Sequence, residues 1–202
     1  MYIPVHYRNE NLKEIFEFIR QNPFAILVSS GDAPLATHIP IQLVQEGETY
    51  FLEGHISKGN PQWKTFEGQP LLAIFSGPHT YVSSSWYNHV NVPTWNYMAV
   101  HVYGTITMQS EEEMRSALRS LVDRYEANSE KPVKVEEMPE DMMKKYLRGI
   151  VGFRMSMDRI EGKWKLSQNR DEEDYRNIIK ELERVDEVNA GLIAGEMKKR
   201  SR

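Results

Sequence analysis

Between residues 24 and 108 the apolar residues come in short runs or at a period of two, and turn chemistry rather than long helix separates most of them. FAILVSS (24–30), LATHIPIQLV (35–44) and TYFLEGH (49–55) read as three consecutive strands, with GDAP (31–34) and EGE (46–48) as the turns of a meander. LLAIFSG (71–77) and HTYVSSSW (79–86) read as two further strands. TWNYMAVHVYGTITM (94–108) reads as one long strand and IVGFRMSMDRI (150–160) as the last. A doubly wound parallel sheet needs a crossover helix between successive strands, and this chain does not alternate in that way. The expected fold is mainly β, an antiparallel barrel with peripheral helices.

The helices announce themselves by caps and a longer period. Leu12, Ile15, Phe16 and Ile19 recur at helical spacing between Asn9, the expected cap, and the stop at Asn22-Pro23. Asn60 followed by Pro61 predicts a short helix running to about Gly68. Ser110 with Glu113 is a capping box, and Met114, Leu118, Leu121, Val122 and Tyr125 follow on one face. Residues 128–139 read as a connector and 142–147 as another short helix. From Asp171 an acidic first turn and the stripe Tyr175, Ile178, Ile179, Leu182 and Val185 predict one C-terminal amphipathic helix closing near residues 189–191. The expected organisation is a barrel domain over residues 1–170 and a helical extension over 171–202, packed on the barrel or on a partner subunit.

Composition narrows the chemistry. The 202 residues contain no cysteine, which excludes disulfides, thiolate catalysis and cysteine-ligated metals. Net charge is −4, from 25 basic and 29 acidic residues, so binding to a phosphate backbone would need a local basic patch. The one dense basic cluster is the tail Lys198, Lys199, Arg200 and Arg202, which reads as a solvated end. Nothing resembles a helix-turn-helix, so DNA contact is possible but the charge does not support it. No run of about 18 apolar residues predicts a membrane span, and the first residues lack the pattern of a secretory signal, so the expected location is cytoplasmic. The six histidines show no pair at helical ligand spacing, and no metal site is expected. The motifs G-x-S-x-G, G-x-x-x-x-G-K-[ST], G-x-G-x-x-G and H-E-x-x-H are absent. Residues 81–103 carry Tyr81, Trp86, Tyr87, Trp95, Tyr97 and Tyr103, which fits either a subunit interface or ordinary core packing.

One segment gathers donors. GHISKGNPQW (54–63) places His55, Ser57 and Lys58 after a strand and opens a helix at Asn60. Hydroxyl, ammonium and free helix-terminal N–H groups together suit a phosphate monoester. A polar turn with a solvated lysine is the alternative reading.

Five blocks in order, ATHIPIQL (36–43), GHISKGNPQW (54–63), GPHTYVSSSWY (77–87), VPTWNYMAVHVYG (92–104) and GKWKLSQNR (162–170), resemble the PaiB-type family of FMN-binding negative transcriptional regulators. The resemblance runs from about residue 1 to 170. It implies an FMN-binding split β-barrel, related to pyridoxamine-phosphate oxidases, that dimerises with itself and forms its flavin sites at the subunit interface. It further implies phosphate contacts from His55, Ser57, Lys58 and Asn60, and flavin-lining positions at Thr37, His38 and Ile39. Trp95 and Asn96 become ring contacts, and Trp164, Lys165 and Gln168 a segment that reaches the partner's flavin. Where the oxidases carry arginine and a following histidine, this chain has Lys165 and Ser167-Gln168. Lysine lacks the planar fork that grips an anion bidentately, so pyridoxal-phosphate synthesis is not expected. The function implied is negative regulation of sporulation and degradative-enzyme genes, with a flavin-dependent oxidoreductase as the alternative reading. A haem-binding barrel using His38, His55 or His79 is the third.

Overall fold

The structure is a computed structural model that describes residues 1–200; Arg202 of the basic tail lies outside the described residues. The chain divides into two compact units. One comprises residues 19–75 and 102–160, the other residues 1–18, 76–101 and 161–202.

The strands are β1 (Arg8–Asn9), β2 (Phe24–Ser29), β3 (Leu35–Glu46), β4 (Thr49–Ser57), β5 (Leu71–Val82), β6 (Thr94–Gly104), β7 (Ile106–Met108), β8 (Ile150–Met155) and β9 (Arg159–Lys165). The helices are α1 (Leu12–Gln21), α2 (Glu111–Glu126), α3 (Glu140–Arg148), α4 (Glu172–Leu182) and α5 (Val188–Lys198). In the first unit the spatial order is β5-β2-β3-β4-β8-β7. The predicted meander is there, and its pairings are antiparallel. Strand β3 is shared between two partners. Its first half lies against β2, ending with Pro40 opposite Phe24, and from Ile41 opposite Gly54 it pairs with β4 instead. Ile41 N–H meanwhile donates to Pro23 O at 2.8 Å. A strand that changes sheets in this way turns a corner without leaving its backbone unpaired. The core beneath it contains Leu27, Ile41, Leu52, Ile56, Phe66, Phe75 and Phe153. A smaller cluster of Met114, Val135, Met143 and Leu147 joins α2, the connector and α3. In the second unit β9 pairs with β1, Gly162 facing Asn9, and lies beside β6, which neighbours β5.

Several boundaries differ from the sequence expectation, each for a local reason. Asn11, not Asn9, caps α1: its Oδ1 accepts from Lys13 N–H at 3.1 Å and Glu14 N–H at 3.3 Å, while Asn9 Oδ1 accepts from Asn11 N–H one step earlier. Residues 71–82 form one strand rather than two, so Gly77-Pro78 is not a turn. Gly77 is there because the Phe18 ring occupies the place a Cβ would take. The long run 94–108 breaks at Thr105, where Gly104 passes so close to the Ser156 carbonyl that no side chain fits. Residues 150–160 likewise divide into β8 and β9, with Ser156 N–H donating to Thr105 O and Asp158 N–H to Tyr103 O, both at 2.9 Å. The C-terminal helix is two helices, not one. Helix α4 ends at Leu182, and α5 buries Ala190, Ile193, Ala194 and Met197, a separate face that the stripe of the preceding segment did not reveal. The capping box of α2 is formed as expected, with Ser110 Oγ and the Glu113 carboxylate each serving the other's backbone N–H.

The described part of the basic tail is exposed, with its charges paired at the surface. Lys198 pairs with Glu183, Lys199 with Glu196, and Arg200 with both Glu196 and Glu14. Among the described residues no helix is long and apolar enough to cross a membrane.

Candidate functional site

The residues singled out from sequence fall into two groups, one in each unit.

The first group lies where β4 ends and the chain turns towards residues 61–65. Those residues are a 3-10 helix of five residues, shorter than expected, capped by Asn60 Oδ1 accepting from Gln62 N–H at 3.0 Å. This corrects the expectation of free helix-terminal donors. Lys58 N–H donates to Gly149 O and Asn60 N–H to Ser57 O, both at 2.9 Å, and Gly59 N–H reaches Ser57 Oγ at 3.3 Å. The backbone donors of residues 58–60 are therefore already bonded, on Gly149 O and on Ser57, and any anion there must be met by side chains. Lys58 is exposed, and among the described residues its ammonium has no ion-pair partner. Ser57 is its exposed neighbour and keeps its hydroxyl proton to donate, because its oxygen only accepts from Gly59.

Gln62 is the residue that sequence reasoning missed. It is 1 % exposed and joins its own turn to β2 and β3. Its Nε2 donates to Leu27 O at 2.9 Å, and to Ser29 Oγ and Leu35 O at 3.3 Å. Its Oε1 accepts from the Thr37 hydroxyl, which in turn accepts from Asn60 Nδ2 at 2.9 Å. Thr37 and Asn60, forecast as ligand contacts, thus hold each other and the turn in place. A buried glutamine this fully satisfied fixes a loop to a sheet edge, since every alternative position leaves polar atoms unpaired. The only sequence hint was a polar residue just inside a Pro-started helix. Ile39 is buried on the core side of β3, and His38 points to the opposite, exposed face with its ring 6.2 Å from that of Phe24.

His55 is half-buried in β4 opposite Gly152 and lines a small pocket with Pro40, Gln109, Met114 and Leu118. Burial pulls its imidazole below the ordinary histidine pKa, favouring the uncharged form at neutral pH, and Lys58 is the only lysine or arginine of the 54–63 segment. Burial also lowers His101, assisted by the N-terminal ammonium and opposed by Glu161. A histidine whose folded pKa is depressed binds fewer protons folded than unfolded between the two pKa values. Stability is then complete above the unfolded value of about 6.5 and falls as pH drops through that window. The urea midpoint is expected to decline between pH 7 and pH 5, and His55→Gln should flatten that decline. Identical slopes in the two proteins would show that His55 stays as protonatable folded as unfolded.

The second group surrounds the end of β9. Trp164 is buried with its ring 5.1 Å from that of Phe18. Lys165 donates to Trp95 O at 2.6 Å and to the Thr94 hydroxyl, and its pKa is lowered by burial and by the charges of Lys163 and Arg170. Ser167 adopts φ 62°, a left-handed conformation, and its hydroxyl donates to Asn96 Oδ1 at 3.1 Å. Gln168 folds back to accept from Leu166 N–H at 2.7 Å and donate to Trp164 O. Asn96 is fully buried, whereas Trp95 is 53 % exposed, with the rings of His79 and Tyr81 about 6 Å away. Of the aromatics in residues 81–103, Tyr87 packs inside under the Arg170 guanidinium, while Tyr81 and Trp95 face outward.

Antiparallel strands in this order, one of them shared between two sheets, with helices at the margins, define a split-barrel protein of mainly β class. The chain belongs to the family described as "Putative FMN-binding domain", which it matches over residues 1–159. It is 40% identical over 196 residues to "Protease synthase and sporulation protein PAI 2" of Bacillus subtilis, an alignment covering 96% of this chain and 95% of that protein. An uncharacterized protein of Aspergillus fumigatus is 29% identical, with 95% of each chain covered. Among solved structures, the flavocytochrome Anf3 from Azotobacter vinelandii superposes with a TM-score of 0.63 at 18% identity, covering 84% of this chain and 75% of that one. The FAD and heme binding protein from Mycobacterium smegmatis superposes at 0.61 and 19% identity, covering 79% and 73%. At these identities the likeness is one of fold.

Proposed function

We propose that this protein binds FMN, taking the cofactor's phosphate at the end of β4, and acts as a homodimeric negative regulator of gene expression. Family membership and the relation to the Bacillus subtilis sporulation protein support the reading. The observation that carries the FMN assignment is the pair Ser57 and Lys58: an exposed hydroxyl and, among the described residues, an ammonium without a carboxylate partner, held on a turn whose backbone donors at 58–60 are already bonded. Such a pair is prepared for an anion and loses nothing internal on meeting one. When bound, the flavin supplies redox chemistry and the polypeptide supplies orientation. The exposed Tyr81, Trp95, Val90 and Val92 favour a subunit interface, where aromatic surface is shielded from water. Regulation follows if the dimer is the competent state, since a ligand bound to it adds RT ln(1 + [L]/Kd), about 2.7 kcal/mol at a hundredfold excess.

The test is a fluorescence titration of the purified protein with FMN and, in parallel, riboflavin. Saturation at one FMN per subunit with riboflavin far weaker is expected. Equal affinity for the two would remove the phosphate site, and no uptake of either would remove the flavin reading.

A further inference from the structure

Just beyond the end of β9, the loop after β5 meets the first turn of α4, and there His89, Asp171 and Asp174 bring their ligand atoms within 4.8 Å of one another. Asp174 is the unusual member. Its side chain is completely buried, and Oδ1 accepts from Asn88 N–H at 2.8 Å, but no hydrogen bond reaches Oδ2. A buried carboxylate oxygen left without a donor is costly, and helix α4 has no need of it, because the cap is already provided by Asp171 Oδ1 accepting from Asp174 N–H at 2.8 Å. His89 Nδ1, which also lies 2.8 Å from Asn88 Oδ1, is 3.4 Å from that oxygen. That separation is the edge of a tetrahedron whose centre lies about 2.1 Å from each corner, the usual length of a metal–nitrogen or metal–oxygen bond.

We propose that His89, Asp171 and Asp174 form a binding site for a first-row divalent cation of the zinc type. One imidazole nitrogen with two carboxylate oxygens suits such an ion better than magnesium or calcium, which take oxygen throughout. Asp171 contributes the oxygen that does not cap the helix, and water completes the coordination. His89 binds through Nδ1 after the ring proton moves to Nε2, giving up the 2.8 Å hydrogen bond from Nδ1 to Asn88 Oδ1. The Asn91 amide, whose Nδ2 lies 2.9 Å from Nε2, then rotates to present its oxygen to that proton. The two carboxylates outweigh the partial positive charge of the helix end. A cation there would tie the loop to α4, to which Asn88 Nδ2 is already joined through Glu173 Oε2 at 3.0 Å.

The experiment uses full-length protein without an affinity tag, stripped with a chelator, dialysed and titrated calorimetrically with zinc chloride. Expected is one zinc ion per chain at micromolar affinity or tighter. His89→Ala and Asp171→Asn should each bind at least tenfold more weakly, while His6→Ala, which removes an exposed imidazole elsewhere, should bind as the parent does. Zinc should raise the melting temperature of the parent but not of His89→Ala. Both informative substitutions are at exposed positions, so neither depends on the buried Asp174 tolerating change. Absence of saturable binding in the parent, or equal binding by parent and His89→Ala, overturns the site and leaves an ordinary histidine–aspartate contact.

Discussion

Phe153→Ala is expected to cost about 3–5 kcal/mol of folding stability, a large part of the total for a chain of this size. Phe153 has no exposed surface, and its ring meets that of Phe66 edge-on, with centroids 5.5 Å apart. In the sheet it stands opposite Gly54 on one side and Met108 on the other. The contact with Gly54 is the informative one. A Cβ at position 54 would lie 3.0 Å from the Phe153 ring and 3.2 Å from Pro40 O, so the aromatic ring fills the room that the missing side chain leaves. Truncation to alanine opens a cavity between β4, β8 and Phe66 that rigid strands cannot close. The loss should appear as a lower urea midpoint with the slope unchanged. Phe153→Leu, which keeps most of the volume, should cost much less. A loss below about 1 kcal/mol for the alanine variant would mean that the sheet relaxes around the cavity.

The second large effect concerns the ligand. Lys58→Ala should weaken FMN binding about 10- to 150-fold, corresponding to about 1.5–3 kcal/mol for a charge-assisted hydrogen bond. Riboflavin affinity should stay constant, because the lost bond is to phosphate. The fold should be untouched, since Lys58 is exposed and anchors its neighbourhood through its backbone N–H on Gly149 O, which alanine retains. Lys58→Arg should restore part of the affinity by keeping the charge. Unchanged FMN affinity in the alanine variant would place the phosphate elsewhere on the molecule.

The segment 54–63 shows how far sequence reaches. The cap at Asn60 is legible in the sequence, and the structure gives the reason for Gly54, where a Cβ would meet the Phe153 ring and Pro40 O. The segment's backbone donors were misjudged. A capped, Pro-started turn looks the same in sequence whether it opens a long helix with free N–H groups or a five-residue 3-10 turn that consumes them, and only the closure of the turn on Ser57 and Gly149 separates the two. Gln62 was invisible for a related reason: one polar side chain becomes a hub only when β2, β3 and the turn converge on it.

Local patterns by themselves determined most strands, the capping box at Ser110, the meander and the antiparallel β class, because periodicity and caps depend on neighbours within a few residues. Five short blocks in order carried the family. Tertiary structure alone decided where β3 changes partner, why Gly77 and Gly104 lack side chains, and that the C-terminal stripe stops at Leu182 and yields to a second helix. It also set the neutral state of His55 and gathered His89, Asp171 and Asp174. Each of these rests on groups far apart in the chain, and burial, close approach and desolvation exist only once the fold has brought them together.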